Sequence, residues 1–149
     1  RRNKMKLIRI DISNIAYTEK KVPMESFLDL IESCEKLLFE TGVYKNGPTT
    51  IETCLSTFGK PGEASFKFYI PIEGNDEFQY LEHFTIKQCV SEVTPFDEHF
   101  LPKIEEMKQY IHDEGLEMLG DTVFLSIFPI FGQHFVEMNI PIKEITDAI

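Results

Sequence analysis

The sequence reads ASFKFYIPI at residues 64–72 and HFVEMNIPI at residues 134–142. In each stretch polar and apolar residues alternate before the shared ending Ile-Pro-Ile, and this period of two is typical of a β-strand with one buried face. Two strands with the same ending in one chain indicate an internal repeat, which is the feature that decides the predicted fold.

The repeat extends outward from these two strands over most of the chain. Residues 73 positions apart match in the same order in both halves: Phe27 with Phe100, Ile31 with Ile104, Gly42 with Gly115, Gly47 with Gly120, and Phe58 with Phe131. Upstream, one inserted residue brings Ile10 and Ile12 onto Phe84 and Ile86. We therefore predict a single domain, residues 1–149, built from internal repeats at residues 6–74 and 80–144.

Each repeat is predicted to fold as strand, helix, strand and strand. In the first repeat we place strands at residues 8–12, 50–58 and 64–72, with a helix at residues 23–41. In the second repeat the predicted strands are residues 84–92, 123–131 and 135–142, and the helix is residues 101–114. The predicted fold class is α+β: a tandem duplication of a βαββ unit, with antiparallel sheets and two main helices.

Apolar residues in both predicted helices recur at spacings of three and four, which places them on one face. We expect this face to be buried against the sheet. Its members are Phe27, Ile31, Cys34, Leu38, Phe100, Ile104, Met107 and Ile111.

The charge of the chain argues against several partners. It contains 25 acidic and 15 basic residues, a net charge of −10, and such a surface repels phosphate backbones. No apolar run approaches the ~18–20 residues of a membrane span, and only a short lead-in precedes the first strand. We expect a cytoplasmic protein without direct binding to nucleic acid or membrane.

No motif for catalysis, metal or cofactor binding is present in the sequence. The three cysteines are widely spaced, without a CxxC pair or a Cys/His cluster, which makes a zinc site or a disulfide framework improbable. A GxSxG elbow and a glycine-rich phosphate loop are also missing. We expect no cofactor, no metal and no catalytic residue, and an enzyme is not favoured.

Two acids, Glu52 and Glu137, interrupt predicted strands and are the candidate functional residues. Alternation puts Glu137 and Asn139 on the face opposite Val136 and Met138. If that face is open to water, these acids are ordinary solvated strand positions. If it lines a concavity between the repeats, a carboxylate among aromatic rings becomes a cation site, because a cation relieves the cost of a buried charge.

The duplicated βαββ unit, with helix-ending glycines and terminal Ile-Pro-Ile strands, resembles the GyrI-like, or bacterial effector-binding, superfamily (an SHS2 duplication), which includes stand-alone members of unknown role in Firmicutes. The resemblance implies a pocket between the repeats for lipophilic, often cationic, molecules, with an acid at its base. Gly47 and Glu52 resemble the family's glycine and glutamate, whereas Phe124 and Leu125 occupy the corresponding region of the second half, where Glu137 is expected to substitute.

The implied ligand-binding site consists of two acids and an aromatic residue in the groove between the repeats, with two further aromatic residues as its walls. The acids are Glu52 and Glu137, the aromatic residue beside them is Tyr69, and the walls are Tyr17 and Tyr44.

Three functions remain open at this point. The first is a stand-alone small-molecule effector-binding module, with a lipophilic and cationic ligand and without its own DNA-binding domain. The alternative is a protein-interaction adaptor or inhibitor, accessory to a toxin or secretion locus, which uses the acidic surface against a basic partner. The third is a small hydrolase, in which Glu52 or Glu137 with Tyr69 would activate water. The expected partner is accordingly a small-molecule ligand or another protein.

Overall fold

A computed structural model describes residues 5–23, 29, 32, 33, 36, 40, 47–58, 60, 62–72, 80–97 and 100–144. Its elements are the strands β1 (Lys6–Pro23), β2 (Thr50–Cys54), β3 (Glu63–Pro71), β4 (Tyr80–Pro95), β5 (Thr122–Ile130) and β6 (Gln133–Pro141), and the helix α1 (Phe100–Asp113). Every pairing between these strands is antiparallel. The strands close into one barrel in the order β1-β3-β2-β5-β6-β4.

The strand order of the barrel is unchanged when the first three strands are exchanged with the last three. Contacts between the two groups are the pairings of β1 with β4 and of β2 with β5. Within these pairings Asp11 pairs with Thr85 and Ile51 pairs with Leu125, and the two residues of each pair are 74 positions apart. The topology therefore has the symmetry expected of a repeat.

The first and fourth strands are much longer than predicted. β1 continues to Pro23, which pairs with Glu63, so the prediction that a helix begins at Pro23 is wrong at this residue. Proline has no N–H to donate and its fixed φ fits extended backbone, which allows it to close a strand. Polar residues such as Lys20 and Lys21 break the apolar alternation, and pairing along the neighbouring strand β3 decides the structure instead.

The second strand is shorter than predicted. β2 ends at Cys54, and residues 55–58 form a turn in which the Phe58 N–H donates to the Cys54 carbonyl at 3.0 Å. Leu55 and Phe58 are nevertheless buried, and this explains why the apolar residues of the turn resemble a continued strand in the sequence.

Most of the predicted first helix, residues 23–41, lies outside the described residues, as do Phe27, Ile31, Cys34 and Leu38 of its predicted buried face. After Pro23, five positions within it are described. They have helical backbone and are exposed: Asp29, Glu32, Ser33, Lys36 and Glu40.

The predicted helix of the second half is confirmed to within one residue at each end. Pro102 lies in its first turn, where a backbone N–H would have no acceptor within the helix, so the N–H that proline lacks costs no hydrogen bond. At the other end Gly115 has φ of +70°, and the Leu116 N–H donates to the Ile111 carbonyl at 3.0 Å. This is the glycine-closed helix end that the sequence indicates. No helix among the described residues is long and apolar enough to cross a membrane.

The buried face of α1 is the one predicted from its spacing. Phe100, Ile104, Met107 and Ile111 are all at most 6% exposed. They pack on the outside of the barrel, where the helix contacts β4 and β6. Strand residues of the same cluster include Ile51, Phe66, Phe68, Val90, Val123, Leu125, Val136, Met138 and Ile140.

Replacement of Ile104 by Ala should lower the free energy of unfolding by about 2–5 kcal/mol, because it removes three buried carbons and leaves a cavity beneath the helix. Denaturant titration followed by circular dichroism measures this change. Leu101→Ala is the matched control, since Leu101 lies on the same helix and is 37% exposed. Equal losses in the two variants would contradict the assigned buried face of the helix.

The hairpin between β5 and β6 turns tightly at Phe131 and Gly132. These residues have φ of 48° and 82°, and Ile130 pairs with Gln133. Positive φ at both central positions is typical of a two-residue hairpin turn. Phe131 is fully exposed at its tip.

Candidate functional site

The interior of the barrel lies on the face of the sheet opposite α1. A helix packs outside a barrel of only six strands, so the face turned away from it is the inner one. A second cluster of buried residues lies on this face: Ile10, Ile15, Tyr69, Ile86, Cys89 and Phe124, with Ile8 and Tyr17 packed against them.

Polar side chains share this inner face with the apolar cluster. The cluster that packs with α1 on the outside of the barrel, here called the outer core, includes Ile51, Leu125 and Met138. The polar residues that alternate with them along the strands point inward: Glu52, Ser126 and Asn139. Polar residues at inner positions of β2, β5 and β6 include Thr50, Glu52, Ser126, Glu137 and Asn139. The interior is therefore a mixed apolar and polar surface, which suits the recognition of small molecules.

Tyr69 and Glu52 form a short polar contact on this surface. The Tyr69 hydroxyl donates a hydrogen bond to Glu52 Oε1 at 2.6 Å. β2 and β3 pair Glu52 with Lys67, so Tyr69 lies diagonally across from the acid on the same face. Burial, and after it the hydrogen bond and charge of Glu52, raises the pKa of Tyr69 above its ordinary value. Tyr69 therefore stays a hydrogen-bond donor, which fixes the orientation of the carboxylate.

Two aromatic rings lie near the ring of Tyr69. The Tyr17 and Tyr69 ring centroids are 5.3 Å apart, and those of Tyr69 and Phe124 are 6.4 Å apart. Phe124 stands directly opposite Glu52 in the pairing of β5 with β2. A half-buried carboxylate opposite the ring of Phe124 can attract an organic cation through charge and through the ring face.

Glu52 and Phe124 line a groove of about 440 Å³, here called the Glu52 groove. Its other walls include Ile86 and Gln88 of β4, and Leu119. At its exposed edge Lys87 Nζ lies 3.2 Å from Glu144 Oε1. The volume fits a drug-sized molecule.

Glu137 lines a different groove of about 510 Å³, here called the Glu137 groove. Asn139 Nδ2 donates to Glu137 Oε1 at 3.0 Å. On a neighbouring wall the hydroxyls of Thr50 and Ser126 are 3.2 Å apart. Ile8, Arg9, Ile10 and Asp11 of β1 close the other side.

Cys89 lies in the same apolar cluster as Tyr69 and is fully buried. Burial, with a smaller contribution from the charge of Glu137, raises the pKa of Cys89 to about 12. The thiol is therefore protonated near neutral pH, as expected of a cysteine that packs as a small apolar residue.

The structure brings together three of the five predicted site residues. Glu52, Tyr69 and Tyr17 lie in one cluster, whereas Glu137 lies in a separate groove, and Tyr44 lies outside the described residues. Sequence reasoning missed Phe124 and Asn139 as site residues. The residue spacing concealed Phe124: the sequence matches on either side of β2 are 73 positions apart, whereas β2 and β5 correspond at 74 in the barrel, which turns Phe124 inward.

Among the described residues no group of three His, Cys, Asp or Glu side chains is placed to hold a metal ion. The carboxylates of the two grooves instead stand next to amide, hydroxyl and aromatic groups. This arrangement is suited to hydrogen bonding and to the attraction of organic cations.

The fold is found in solved structures of regulatory proteins. The C-terminal domain of EcmrR matches with a TM-score of 0.63 and 15% identity, over 95% of this chain and 99% of that one. EcmrR in a complex with DNA matches with a TM-score of 0.60 and 16% identity, over 94% of this chain and 58% of that one. A proposed bacterial transcription regulation protein from Staphylococcus aureus MU50 matches with a TM-score of 0.56 and 12% identity, over 95% and 99%.

These similarities show the fold alone, an antiparallel α+β fold compatible with the GyrI-like fold. No protein-family model and no curated protein matches the sequence.

Proposed function

We propose that this protein is a small-molecule effector-binding module that takes a lipophilic cation in the Glu52 groove. One observation carries the proposal: the half-buried carboxylate of Glu52 lines the groove opposite the ring of Phe124 and accepts a hydrogen bond from Tyr69. In this proposal the fold is a duplicated βαββ unit, and its other main helix lies between β1 and β2, after Pro23.

The charge and shape of the Glu52 groove support a cationic ligand. Its lining contains two acids, Glu52 and Glu144, against a single lysine, Lys87. A cation with an apolar body would balance this excess negative charge and cover the apolar walls at Ile86 and Leu119. The shared fold with the EcmrR C-terminal domain adds a regulatory context, in which ligand binding would be passed to another protein.

Replacement of Glu52 by Gln should weaken the binding of benzyltrimethylammonium at least tenfold, because the amide keeps the shape of the carboxylate but not its charge. Binding of benzyl alcohol, which is uncharged, should change less than about twofold. Isothermal titration calorimetry of the wild type and the variant measures both. A loss of 1.4 kcal/mol in binding free energy corresponds to about a tenfold change.

Two further variants sharpen this test. Tyr69→Phe removes the hydroxyl that orients Glu52 and should weaken binding of the cation less than Glu52→Gln does. Glu105→Gln removes one negative charge from the exposed side of α1 and should leave binding unchanged. No binding of the cation by the wild type, or equal affinity in the wild type and Glu52→Gln, would overturn the proposed function.

A further inference from the structure

One face of the β5–β6 hairpin, together with the end of β4 beside it, is apolar. Residues that pair directly across two strands point to the same side of the sheet, and Phe135 pairs with Pro95 on one side and with Phe128 on the other. Alternation along β4 and β5 adds Val93 and Ile130 to this side. These five residues are here called the hairpin face.

The hairpin face lies on the side of the strands turned away from the outer core. Val136, which alternates with Phe135 along β6, is fully buried in that core. On the hairpin face, by contrast, Val93 is 46% exposed and Ile130 is 41% exposed. The rings of Phe128 and Phe135 are nearly parallel, with centroids 6.4 Å apart, and both side chains are half-buried. The second face of an antiparallel sheet is usually polar when it meets water, and here it is apolar.

The corresponding face in the first half of the barrel is polar. The Ile-Pro-Ile endings align β3 with β6 at a spacing of 70 residues, and the pairing of β1 with β3 matches that of β4 with β6. Three apolar residues of the hairpin face therefore have polar counterparts: Glu19 for Val93, Lys21 for Pro95 and Ser65 for Phe135. The fold tolerates polar side chains at these positions, so stability of the barrel does not explain the apolar ones.

Phe131, at the tip of the same hairpin, is unfavourable for the isolated chain in two ways. Its φ of 48° lies in the left-handed region, which bulky residues rarely adopt and which hairpin turns usually fill with asparagine, aspartate or glycine. Its ring is also fully exposed to water. Backbone strain of this kind is concentrated at functional positions, and an exposed aromatic ring is a common anchor in protein interfaces.

The charges around the hairpin face favour one kind of partner. Residues 91–97 and 126–137 contain three acids, Glu92, Asp97 and Glu137, and no lysine or arginine. A second copy of the chain would bring the same acids and the same net charge of −10 against them, which is repulsive. A basic partner with apolar side chains would be attracted by the charge and would cover the apolar surface.

The width of the hairpin face fits a helix of such a partner. The face crosses three neighbouring strands in the order β5, β6 and β4. Neighbouring strands lie about 4.8 Å apart, so three of them span about 10 Å. This is close to the diameter of an α-helix with its side chains, about 10–12 Å.

We propose that the hairpin face and Phe131 form a docking surface for a basic amphipathic helix of another protein. The apolar side of the helix would pack on Val93, Ile130 and Phe131, and its lysine or arginine residues would lie towards the acidic strand ends. This surface goes beyond the proposed function and does not depend on the Glu52 groove.

The experiment uses a fluorescein-labelled peptide of leucine and lysine, with leucines three and four residues apart so that its helix has one apolar side. Fluorescence anisotropy titrations are made at pH 7 with the wild type, Phe131→Ser, Val93→Ser and Leu101→Ser. We expect the affinity to fall at least tenfold in Phe131→Ser and at least threefold in Val93→Ser. Leu101→Ser is the matched control, since Leu101 is 37% exposed on α1, and its affinity should change less than about twofold.

Two further measurements test the chemistry of the partner. The same peptide with glutamate in place of lysine should bind the wild type at least tenfold more weakly. Sedimentation equilibrium should find the wild type monomeric. A wild-type dimer that dissociates in Phe131→Ser would show that a second copy occupies the surface, and it would overturn the proposed partner.

Three results of the titrations would overturn the docking surface. These are no binding of the lysine peptide by the wild type, equal losses in Phe131→Ser and Leu101→Ser, and equal affinity for the lysine and glutamate peptides. Glu52→Gln should bind the lysine peptide within about twofold of the wild type, so a failure of the Glu52 groove to bind cations leaves this test intact. Should Val93→Ser fail to fold, Phe131→Ser decides alone, because its side chain is fully exposed.

Discussion

The substitution Phe66→Ala should lower the free energy of unfolding by about 3–5 kcal/mol, the range measured when a buried phenylalanine is truncated. Phe66 is fully buried in the outer core, with its ring centroid 6.4 Å from that of Phe68. Its strand is fixed on both sides, by β1 and by β2, so the barrel has little freedom to collapse into the cavity. Urea denaturation followed by circular dichroism measures the change.

Phe131→Ala is the matched control for this prediction. It removes the same atoms from a side chain that is fully exposed at the tip of the β5–β6 hairpin. Its cost should stay within about 0.5 kcal/mol, as for most surface substitutions. If the two variants were equally stable, the assignment of Phe66 to the core would be wrong.

Alkaline conditions should destabilise the protein through the interior of the barrel. The pKa of Cys89 is raised from 9.0 to about 12 in the folded state, so the folded protein keeps this proton when the unfolded chain has lost it. The stabilisation is complete below pH 9 and is lost as the pH rises towards 12. Between pH 8.5 and 11 we expect Cys89 to account for a fall of about 2 kcal/mol in the free energy of unfolding.

The variant Cys89→Ala isolates this contribution, because alanine cannot ionise and is close to cysteine in size. Its free energy of unfolding should fall less steeply with pH than that of the wild type. A residual slope is expected from Tyr69, whose pKa is also raised by burial and by Glu52. Parallel pH profiles for the wild type and Cys89→Ala would show that the thiol ionises as freely in the folded state as in the unfolded chain.

Local periodicity predicted the strands and the helix well where one face is apolar. The helix at Phe100–Asp113 and the strands that end on Ile-Pro-Ile follow from spacing alone. The long strand β1 does not, because Thr18, Glu19, Lys20 and Lys21 carry no apolar alternation. Pairing with β3, which is distant in the chain, decides how far β1 extends. Tertiary context here overrides the weak local preference of these residues.

The candidate site could be predicted only in part, because the sequence of one strand does not show its register with the neighbouring strands. Alternation correctly placed Glu137 and Asn139 opposite Val136, because that judgement needs one strand only. Whether Glu52 and Glu137 meet depends on how three neighbouring strands, β2, β5 and β6, are aligned. A shift of one residue in a pairing turns every side chain to the other face, and the single-residue difference between spacings of 73 and 74 is a shift of this kind.

Closure of the barrel has a consequence for how the chain reaches its native state. β1 can pair with one of its two neighbours only after β4 has been synthesised, since residues 6–16 pair with residues 80–91. In the same way, β2 can pair with β5 only after β5 has been synthesised. Such distant pairings raise the contact order and slow folding, and until they form, each half presents two open strand edges that can add a strand from another molecule. During synthesis the first half is therefore the species most exposed to self-association, and the second half protects it by completing the ring.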